Sequence, residues 1–271
     1  MDWPRLKTVL IVLFLVINIG LLANIHYTEY SKNKVSDADI QNVISALQNS
    51  GVTVDEDTVP DRRDVLCAYT LNAMVEEKRR AAEALLGTDA ELVLNEDSSV
   101  AQYEKDGAQL WLWDDFRLQW EDPDFASGTD RKTAQQIAEK LTAEGYGMIS
   151  LPEWDNEEEG QYCFRQTLDG IPVDDTMLVV TLQQGSARAE GIWLMGRPQR
   201  SDEEQVSDGI TALMMYPILS AQPEGRTIVS VQRIYRISTE TAGSRVIPVY
   251  RVTDDQQQTV DWDPLGGRQI Q

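Results

Sequence analysis

The sequence is poor in the residues that most enzymes use for acid–base and metal chemistry. It has one histidine, His26, and two cysteines among 271 residues. With no other histidine, a Ser-His-Asp or Cys-His site would lack its base, and a zinc site would lack ligands. The G-x-S-x-G, H-E-x-x-H, Walker A and G-x-G-x-x-G motifs are also missing. The sequence therefore predicts a protein with no catalytic site, no metal site and no cofactor.

Carboxylates, in contrast, are abundant, and they leave one enzymatic alternative open. There are 45 Asp and Glu against 24 Lys and Arg, which gives a formal net charge of −21. In such a chain the runs Asp114-Asp115, Glu157–Glu159 and Asp174-Asp175 are expected by chance, in turn-like, solvated sequence. A two-carboxylate hydrolase would need one such pair to be buried.

The sign of the charge limits the partners. A surface this acidic repels phosphate backbones, so we expect no nucleic acid as a partner. Two interpretations remain: the charge serves solubility alone, or it attracts a partner with a basic face.

One long apolar run lies near the N-terminus. Thr8–Ile25 has no charged side chain, and as a helix rising about 1.5 Å per residue it just crosses a hydrocarbon core of about 30 Å. Arg5 and Lys7 precede it, so the positive-inside rule places residues 1–7 in the cytoplasm and the rest of the chain outside. No A-x-A cleavage pattern follows, which favours an uncleaved, single-pass anchor in the cell membrane over a signal peptide.

Asn18 is the deepest polar side chain of this run, and Gly20 lies close to it in sequence. An asparagine amide that faces lipid leaves its donors and acceptors unpaired, and a nearby glycine lets a second helix approach closely. Asn18 and Gly20 are therefore predicted to contact a partner helix. The alternative is that Asn18 stays unpaired at little cost, because interhelical hydrogen bonds average only about 0.6 kcal/mol.

The two cysteines, Cys67 and Cys163, lie far apart in sequence. Outside the cell a disulfide between them is permitted. Buried free thiols are the commoner outcome in a chain with a normal apolar core. The sequence alone leaves both interpretations open.

The rest of the chain alternates amphipathic helices with short strands. A neck over residues 26–35 leads into two extracytoplasmic regions, residues 36–128 and 129–271. One pattern occurs three times in them: a helix, a glycine or turn, and about three antiparallel strands. The copies cover about residues 72–120, 130–195 and 207–262. Since one helix suffices to cover one small meander, the predicted fold class is α+β, with a single transmembrane helix followed by repeated helix-plus-antiparallel-meander units.

Local signals mark the first helices and the hairpin turns. Ser36, followed three residues later by Asp39, is typical of a helix start, and Gly51 marks the end of that helix. A further helix is predicted over residues 130–143, with one apolar face. That face consists of Ala134, Ile137, Ala138 and Leu141. The pairs Asp106-Gly107 and Asp169-Gly170 predict tight hairpin turns.

Two further predictions concern which side chains face inward. Trp111, Trp113 and Trp120 have strand spacing; they are predicted to be core residues, and the alternative is a binding platform. A helix over residues 209–220 is predicted to end at or bend near Pro217. Its inward-facing residues are predicted to be Ile210, Leu213 and Met214.

Three stretches resemble the YycI family. They are Met1-Asp2-Trp3 before a basic pair and a membrane helix, Val35-Ser36-Asp37…Leu47…Gly51-Val52…Val54-Asp55…Pro60, and Phe164-Arg165-Gln166…Asp169-Gly170-Ile171-Pro172-Val173. The third is similar to a strand-turn-strand that YycI shares with its relative YycH. The resemblance implies an extracytoplasmic α+β regulator of an essential two-component system. It also implies two partners, a YycG-type sensor histidine kinase and a YycH-like protein.

Two functional hypotheses follow. In the first, the protein is a membrane-anchored regulator that shifts a YycG-type kinase between states through protein–protein and transmembrane-helix contacts, with lipid touched only by residues 8–25. In the second, it is an anchored ligand- or peptide-binding module of the cell envelope, or a peptidase modulator similar in outline to PepSY folds. A deep apolar pocket would favour the second hypothesis, and a flat surface the first.

Overall fold

The computed structural model describes residues 14–15, 17–19, 21, 34–72, 74–93, 100–240 and 243–270. Their fold is mostly β, with two large sheets. No helix among these residues combines the length and the apolar character that crossing a membrane requires. The predicted fold class, α+β with a transmembrane helix and repeated helix–meander units, is therefore wrong. Most of the predicted membrane segment, Thr8–Ile25, lies outside the described residues.

The described part of the chain includes four α-helices after residue 34, three 3-10 turns and sixteen strands. The helices are α1 Asp37–Asn49, α2 Met74–Leu86, α3 Arg131–Leu141 and α4 Gly209–Leu219. The first eight strands are β1 Thr53–Val54, β2 Arg63–Asn72, β3 Glu91–Val93, β4 Val100–Lys105, β5 Ala108–Trp113, β6 Arg117–Phe125, β7 Gly147–Ser150 and β8 Gln161–Leu168. The other eight are β9 Ile171–Pro172, β10 Met177–Gln183, β11 Gly185–Ile192, β12 Arg197–Asp208, β13 Thr227–Glu240, β14 Gly243–Asp254, β15 Thr259–Asp263 and β16 Arg268–Ile270.

The strands form two sheets. One has nine strands in the order β3-β4-β5-β6-β11-β10-β8-β7, with β9 paired to β8. The other has seven strands: β1-β13-β14-β15-β16 form a continuous path, and β2 pairs with β12 and β14.

The described residues divide into two compact units that are not consecutive in sequence. The first unit is drawn from the part of the chain that ends at Val65, from Val206–Val231 and from Val252–Val260. The second unit is drawn from Leu66–Gln205, Gln232–Arg251 and Asp261–Gln271. Each unit therefore combines residues that are more than 100 positions apart.

The first unit is organised around α1 and α4, which pack against each other. The predicted start of α1 is confirmed, because the Ser36 hydroxyl accepts a hydrogen bond from the Asp39 backbone N–H at 3.1 Å. Gly51 takes the predicted left-handed conformation just after the helix, with φ of 77°. The apolar side chains of α1 and α4 that are buried are Ile40, Val43, Leu47, Ala212 and Leu213.

The predicted inward face of α4 is partly wrong. Leu213 is fully buried, as expected, but 41% of Met214 is exposed, and Ile218 one turn later is 72% exposed. Pro217 lies inside the helix, which continues to Leu219. Helix α4 is apolar around most of its circumference, so periodicity could not identify the buried side.

The second unit contains the nine-stranded sheet, with α2 and α3 packed on one face. The four predicted apolar residues of α3 are all buried, and Asp130 caps its first turn by accepting a hydrogen bond from the Thr133 N–H at 2.8 Å. The sheet contributes alternate side chains to the same core. They include Leu110, Leu112, Leu118, Trp120, Phe164, Leu178 and Val180, and Trp193, directly after β11, joins the same core.

Both predicted hairpin turns of this unit are confirmed. Asp106 and Gly107 have φ of 51° and 86° between β4 and β5, and Asp169 and Gly170 have φ of 50° and 77° between β8 and β9. Two successive positive φ values match the right-handed twist of the flanking strands, and Asp-Gly adopts them at little cost.

Long-range pairing is the reason that the repeat prediction fails. Strands β6 and β11, from the first and second predicted copies, pair along their length from Arg117↔Ile192 to Gly185↔Phe125. The two meanders thus form one sheet with one helix-covered face. In the third predicted copy, α4 belongs to the first unit instead of covering a meander.

Candidate functional site

The face of the nine-stranded sheet opposite α2 and α3 is the candidate site. Successive side chains of a strand point to opposite faces. On β5 the residues Ala108, Leu110 and Leu112 are buried in the core, whereas Gln109, Trp111 and Trp113 between them are half-buried. We call the surface that carries the second set the open face.

Strand register arranges the open face in three rows that run across the strands. Directly opposite residues of antiparallel strands point to the same side. The first row is Glu91, Glu104, Gln109, Glu121, Arg188, Thr181 and Gln161. The second row is Val93, Gln102, Trp111, Gln119, Glu190, Val179 and Cys163. The third row contains Val100, Trp113, Arg117, Ile192 and Met177.

Trp111 lies in the middle of the second row. Gln102 and Gln119 are its direct cross-strand neighbours on either side. Two residues further along β5, Trp113 has the Arg117 guanidinium over its ring at 5.2 Å from the centroid. The centre of the open face is therefore aromatic and flanked by side-chain amides.

The charged side chains near the centre of the open face are paired with one another, whereas Glu91 and Glu104, at its β3–β4 end, are two carboxylates directly opposite each other. Arg188 lies between Glu190, at 2.6 Å, and Glu121, at 3.6 Å. Gln119 donates a hydrogen bond to Glu121 at 2.9 Å, and Arg117 pairs with Asp115 at 2.7 Å. These side chains are about half exposed, so each pair contributes little to stability. The three rows together carry four glutamates and two arginines, so the open face has a net negative formal charge.

An open cleft of about 550 Å³ borders the first row. Its volume lies in the range of small-molecule sites. Its lining is mainly polar and includes Gln109, Glu121, Gln161, Thr181, Gln183 and Arg188. It therefore differs from the deep apolar pocket that the second functional hypothesis called for.

The open face corrects the prediction that all three tryptophans belong to the core. Trp120 is only 2% exposed and packs under the helices, as predicted. Trp111 and Trp113 have the opposite parity and lie on the open face. The sequence did contain a signal for this face. Along β5 the apolar residues Ala108, Leu110 and Leu112 alternate with Gln109, Trp111 and Trp113.

The predicted carboxylate pairs are not all solvated. Asp114 and Asp115 are exposed and pair with Lys78 and Arg117, and Glu157–Glu159 form an exposed 3-10 turn. Asp174 and Asp175 are about three-quarters buried, against expectation. Among the described residues, no group of three or more His, Cys, Asp or Glu could hold a metal ion.

Asp174 and Asp175 belong to a cluster of three arginines and three aspartates. Arg251 donates to Asp174 at 2.7 Å and to both oxygens of Asp261 at 2.7 and 2.6 Å. Arg236 bridges Asp261, at 2.7 Å, and Asp175, at 2.9 Å, and Arg165 reaches Asp174 at 3.1 Å. The formal charges cancel, and each carboxylate accepts charge-assisted hydrogen bonds.

This cluster fastens the loop after β9 to strands β13, β14 and β15. The hydrogen bond to Asp261 and the neighbouring carboxylates raise the pKa of Arg251, although burial opposes them. For Arg236, burial lowers the pKa, but the charge of Asp175 and its hydrogen bonds outweigh burial and raise it. Both arginines therefore stay charged. The ion pairs of the cluster have a structural role, because they hold the loop after β9 against the three strands.

The residues predicted to form a membrane-helix contact are only partly described. The Asn18 amide donates a hydrogen bond to the Phe14 carbonyl oxygen at 2.8 Å, one turn earlier in the chain. Gly20 lies outside the described residues. The partner contact of Asn18 and Gly20 stays a prediction.

Both cysteines are free and buried. Cys67 is on β2, in a core cluster with Tyr69 and Tyr235. Cys163 is on β8, where its thiol donates to the Trp154 carbonyl oxygen at 3.3 Å. Burial raises the pKa of the Cys163 thiol, and the charge of Arg131 offsets this only in part.

The stretch Phe164–Val173 is one of the three that resemble the YycI family. It forms the end of β8, the turn that follows, and β9. The Gln166 side-chain amide donates to the Leu194 carbonyl oxygen at 3.0 Å and accepts from the Leu194 N–H at 2.7 Å, as a strand would. Asp169, in the turn, accepts a hydrogen bond from the Tyr69 hydroxyl. Its polar residues thus hold the β8–β9 hairpin in place.

No protein-family model matches the chain, and no curated protein sequence matches it. Among solved structures, the chain is similar to an uncharacterized protein from Eubacterium rectale, with 11% identity and a TM-score of 0.40 over 85% of this chain and 98% of the other. It is also similar to YycH from Bacillus subtilis, with 14% identity and a TM-score of 0.31 over 71% of this chain and 49% of the other. Because both TM-scores are below 0.5, neither likeness carries an argument about function.

Proposed function

We propose that this protein is an extracytoplasmic regulatory protein that catalyses no reaction. It recognises a ligand on the open face and modulates a YycG-type sensor histidine kinase. The observation that carries the proposal is the open face itself: three rows of side chains across one sheet, with aromatic and amide side chains at the centre and charged side chains around them. The sequence resemblance of Phe164–Val173 to the YycI and YycH strand-turn-strand supports the choice of kinase. A YycH-like protein is the second partner that this resemblance suggests.

The physical mechanism requires only binding. A regulator that contacts one state of a kinase more favourably than the other shifts the balance between the two states. A differential of about 1.4 kcal/mol changes their ratio tenfold. A ligand on the open face alters the output if it changes how the regulator binds either state.

The test is kinase activity in a membrane. The full chain and a YycG-type kinase are reconstituted together in proteoliposomes, and autophosphorylation is measured with and without the chain. We expect the wild-type chain to change the rate. The double variant Trp111→Ala, Gln119→Ala is expected to lose that effect or its response to ligand. Gln135→Ala is the matched control, because Gln135 is an exposed amide on α3, on the helix-covered side.

Two results would contradict the proposal. One is a rate of autophosphorylation that is the same with and without the wild-type chain. The other is an open-face double variant that modulates the kinase and responds to ligand as Gln135→Ala does.

A further inference from the structure

We infer that the open face binds a neutral glycan, a chain of uncharged sugar units. The inference rests on the proposed function and gives the regulator its ligand. Three properties of the open face lead to it: the arrangement of amides around tryptophan, the sign of its charge, and the length of the rows.

The side chains at the centre of the face match the surface of a sugar ring. A pyranose ring offers an apolar C–H face and a rim of hydroxyl groups that both donate and accept hydrogen bonds. Trp111 provides a flat apolar surface for the first. Gln102 and Gln119, opposite Trp111 on the neighbouring strands, carry amides that donate and accept, which suits the second.

The charge of the face disfavours an anionic ligand. The three rows carry more carboxylates than guanidinium groups: Glu91, Glu104, Glu121 and Glu190 against Arg117 and Arg188. Like charge would therefore repel an acidic glycan. Glu121 and Glu190 are held in place by Arg188, and fixed carboxylates and guanidinium groups accept and donate hydrogen bonds at the rim of the site, as sugar hydroxyls require.

The geometry favours an elongated ligand. The first row crosses seven strands, and neighbouring strands lie about 4.8 Å apart, so this row is roughly 30 Å long. The second row ends at the buried Cys163, so its accessible part is one strand shorter. Trp113 follows Trp111 on the same face and offers a second stacking surface, roughly 7 Å away along the strand. The cleft of about 550 Å³ beside Gln109 and Thr181 borders the first row.

A protein partner is the competing occupant, because tryptophan and arginine are also common at the centre of protein interfaces. Such centres are desolvated and depleted of charge. On the open face, Glu121, Arg188 and Glu190 are 44 to 51% exposed and remain paired. They would have to be desolvated together under a protein, whereas a narrow glycan strand leaves them in contact with water.

The experiment is affinity electrophoresis of the full chain in native gels that contain a neutral polysaccharide. The probes are hydroxyethyl cellulose, amylose, laminarin and glycol chitin. Any detergent used to handle the full chain is one without a sugar headgroup. The acidic wild-type chain is expected to migrate more slowly with at least one of them. Trp111→Ala should weaken that binding at least about tenfold, Trp111→Phe should retain most of it, and Gln102→Ala should show an intermediate loss.

The controls separate a lost site from a lost fold. Gln135→Ala lies on α3 and should bind as the wild type does, and thermal unfolding reports whether each variant is folded. Gln102→Ala keeps the proposal testable if Trp111→Ala fails to fold. The inference is overturned if none of the four polysaccharides slows the wild type, or if Trp111→Ala and Gln102→Ala are folded and bind as the wild type does.

The glycan proposal and the proposed regulatory function can fail independently of each other. Kinase modulation without glycan binding would refute the glycan and leave the regulator, with a protein as the occupant of the open face. Glycan binding without any effect on the kinase would leave the glycan site and refute the regulatory role.

Discussion

The two faces of the nine-stranded sheet are built by the same strands but have opposite composition. On the covered face, Leu110 and Trp120 are directly opposite each other and almost fully buried. On the open face, one residue away, Trp111 is opposite Gln119, and both are half-buried. Alternation along each strand thus places core side chains on one face and solvent-accessible side chains on the other, so substitutions of neighbouring residues should have different effects.

The largest expected contrast is between two tryptophans of opposite parity. Trp120→Ala should lower the free energy of unfolding by about 3–5 kcal/mol, because it removes a fully buried indole from the core. Trp111→Ala should lower it by only about 1 kcal/mol. Urea unfolding followed by circular dichroism measures both. Equal losses would mean that the open face is as much a core surface as the covered face.

A second contrast compares arginine pairs of different burial. Arg251→Ala should cost about 3–5 kcal/mol of unfolding free energy, because it leaves Asp174 and the 6% exposed Asp261 without a main partner. Arg188→Ala on the open face should cost less than about 1 kcal/mol, because exposed pairs are well solvated. The same unfolding assay measures both variants. A cost for Arg188→Ala that matches Arg251→Ala would show that its pairs also support the fold.

A third prediction extends the comparison to a buried carboxylate of the first unit. Burial alone would raise the pKa of Asp254, but hydrogen bonds from the Gln258 and Gln256 backbone and from the Tyr216 hydroxyl, together with Arg226, outweigh it and lower the pKa. A carboxyl whose pKa is lower in the folded than in the unfolded protein stabilises the fold above its unfolded pKa of about 3.9. That contribution is lost as the pH falls through the folded value.

The corresponding measurement is urea unfolding between pH 2 and 7 for the wild type and Asp254→Asn. The variant should be less stable at neutral pH, and the difference between the two proteins should shrink as the pH falls below about 4. A difference that stays constant over the whole range would exclude this role for the Asp254 charge.

The smallest expected effect is on the exposed side of α4. Met214→Gln should change the free energy of unfolding by no more than about 0.5 kcal/mol, because Met214 is 41% exposed. Leu213→Ala, at the neighbouring fully buried position, should cost about 2–5 kcal/mol. If Met214→Gln proved as costly as Leu213→Ala, the inward face of α4 would include Met214, as its sequence suggested.

Features that depend on neighbouring residues could be predicted from the sequence. The Ser36 cap, the apolar face of α3 and the Asp-Gly turns at 106–107 and 169–170 are set by local hydrogen bonds and backbone conformation, and the structure confirms each. Features that depend on distant partners could not. The pairing of β6 with β11 joins residues about 70 positions apart, and nothing in either strand specifies the other.

The candidate site shows the same division. The arginines that bury Asp174 and Asp175 include Arg236 and Arg251, more than 60 residues later, so the aspartates appeared solvated. The alternation of the two sets of residues on β5 was visible in the sequence. The sequence did not show which of the two sets the helices cover. Gln102 and Gln119 are recognisable as neighbours of Trp111 only once the register of three strands is known.

In the proposed function, the open face of the sheet binds the ligand and the covered face stabilises the fold. The most direct measurement determines both quantities for Trp111→Ala, its free energy of unfolding in urea and its effect on kinase autophosphorylation in proteoliposomes. We expect a folded variant, within about 1 kcal/mol of the wild type, that no longer modulates the kinase in response to ligand. A folded variant with full, ligand-responsive modulation would contradict the proposal.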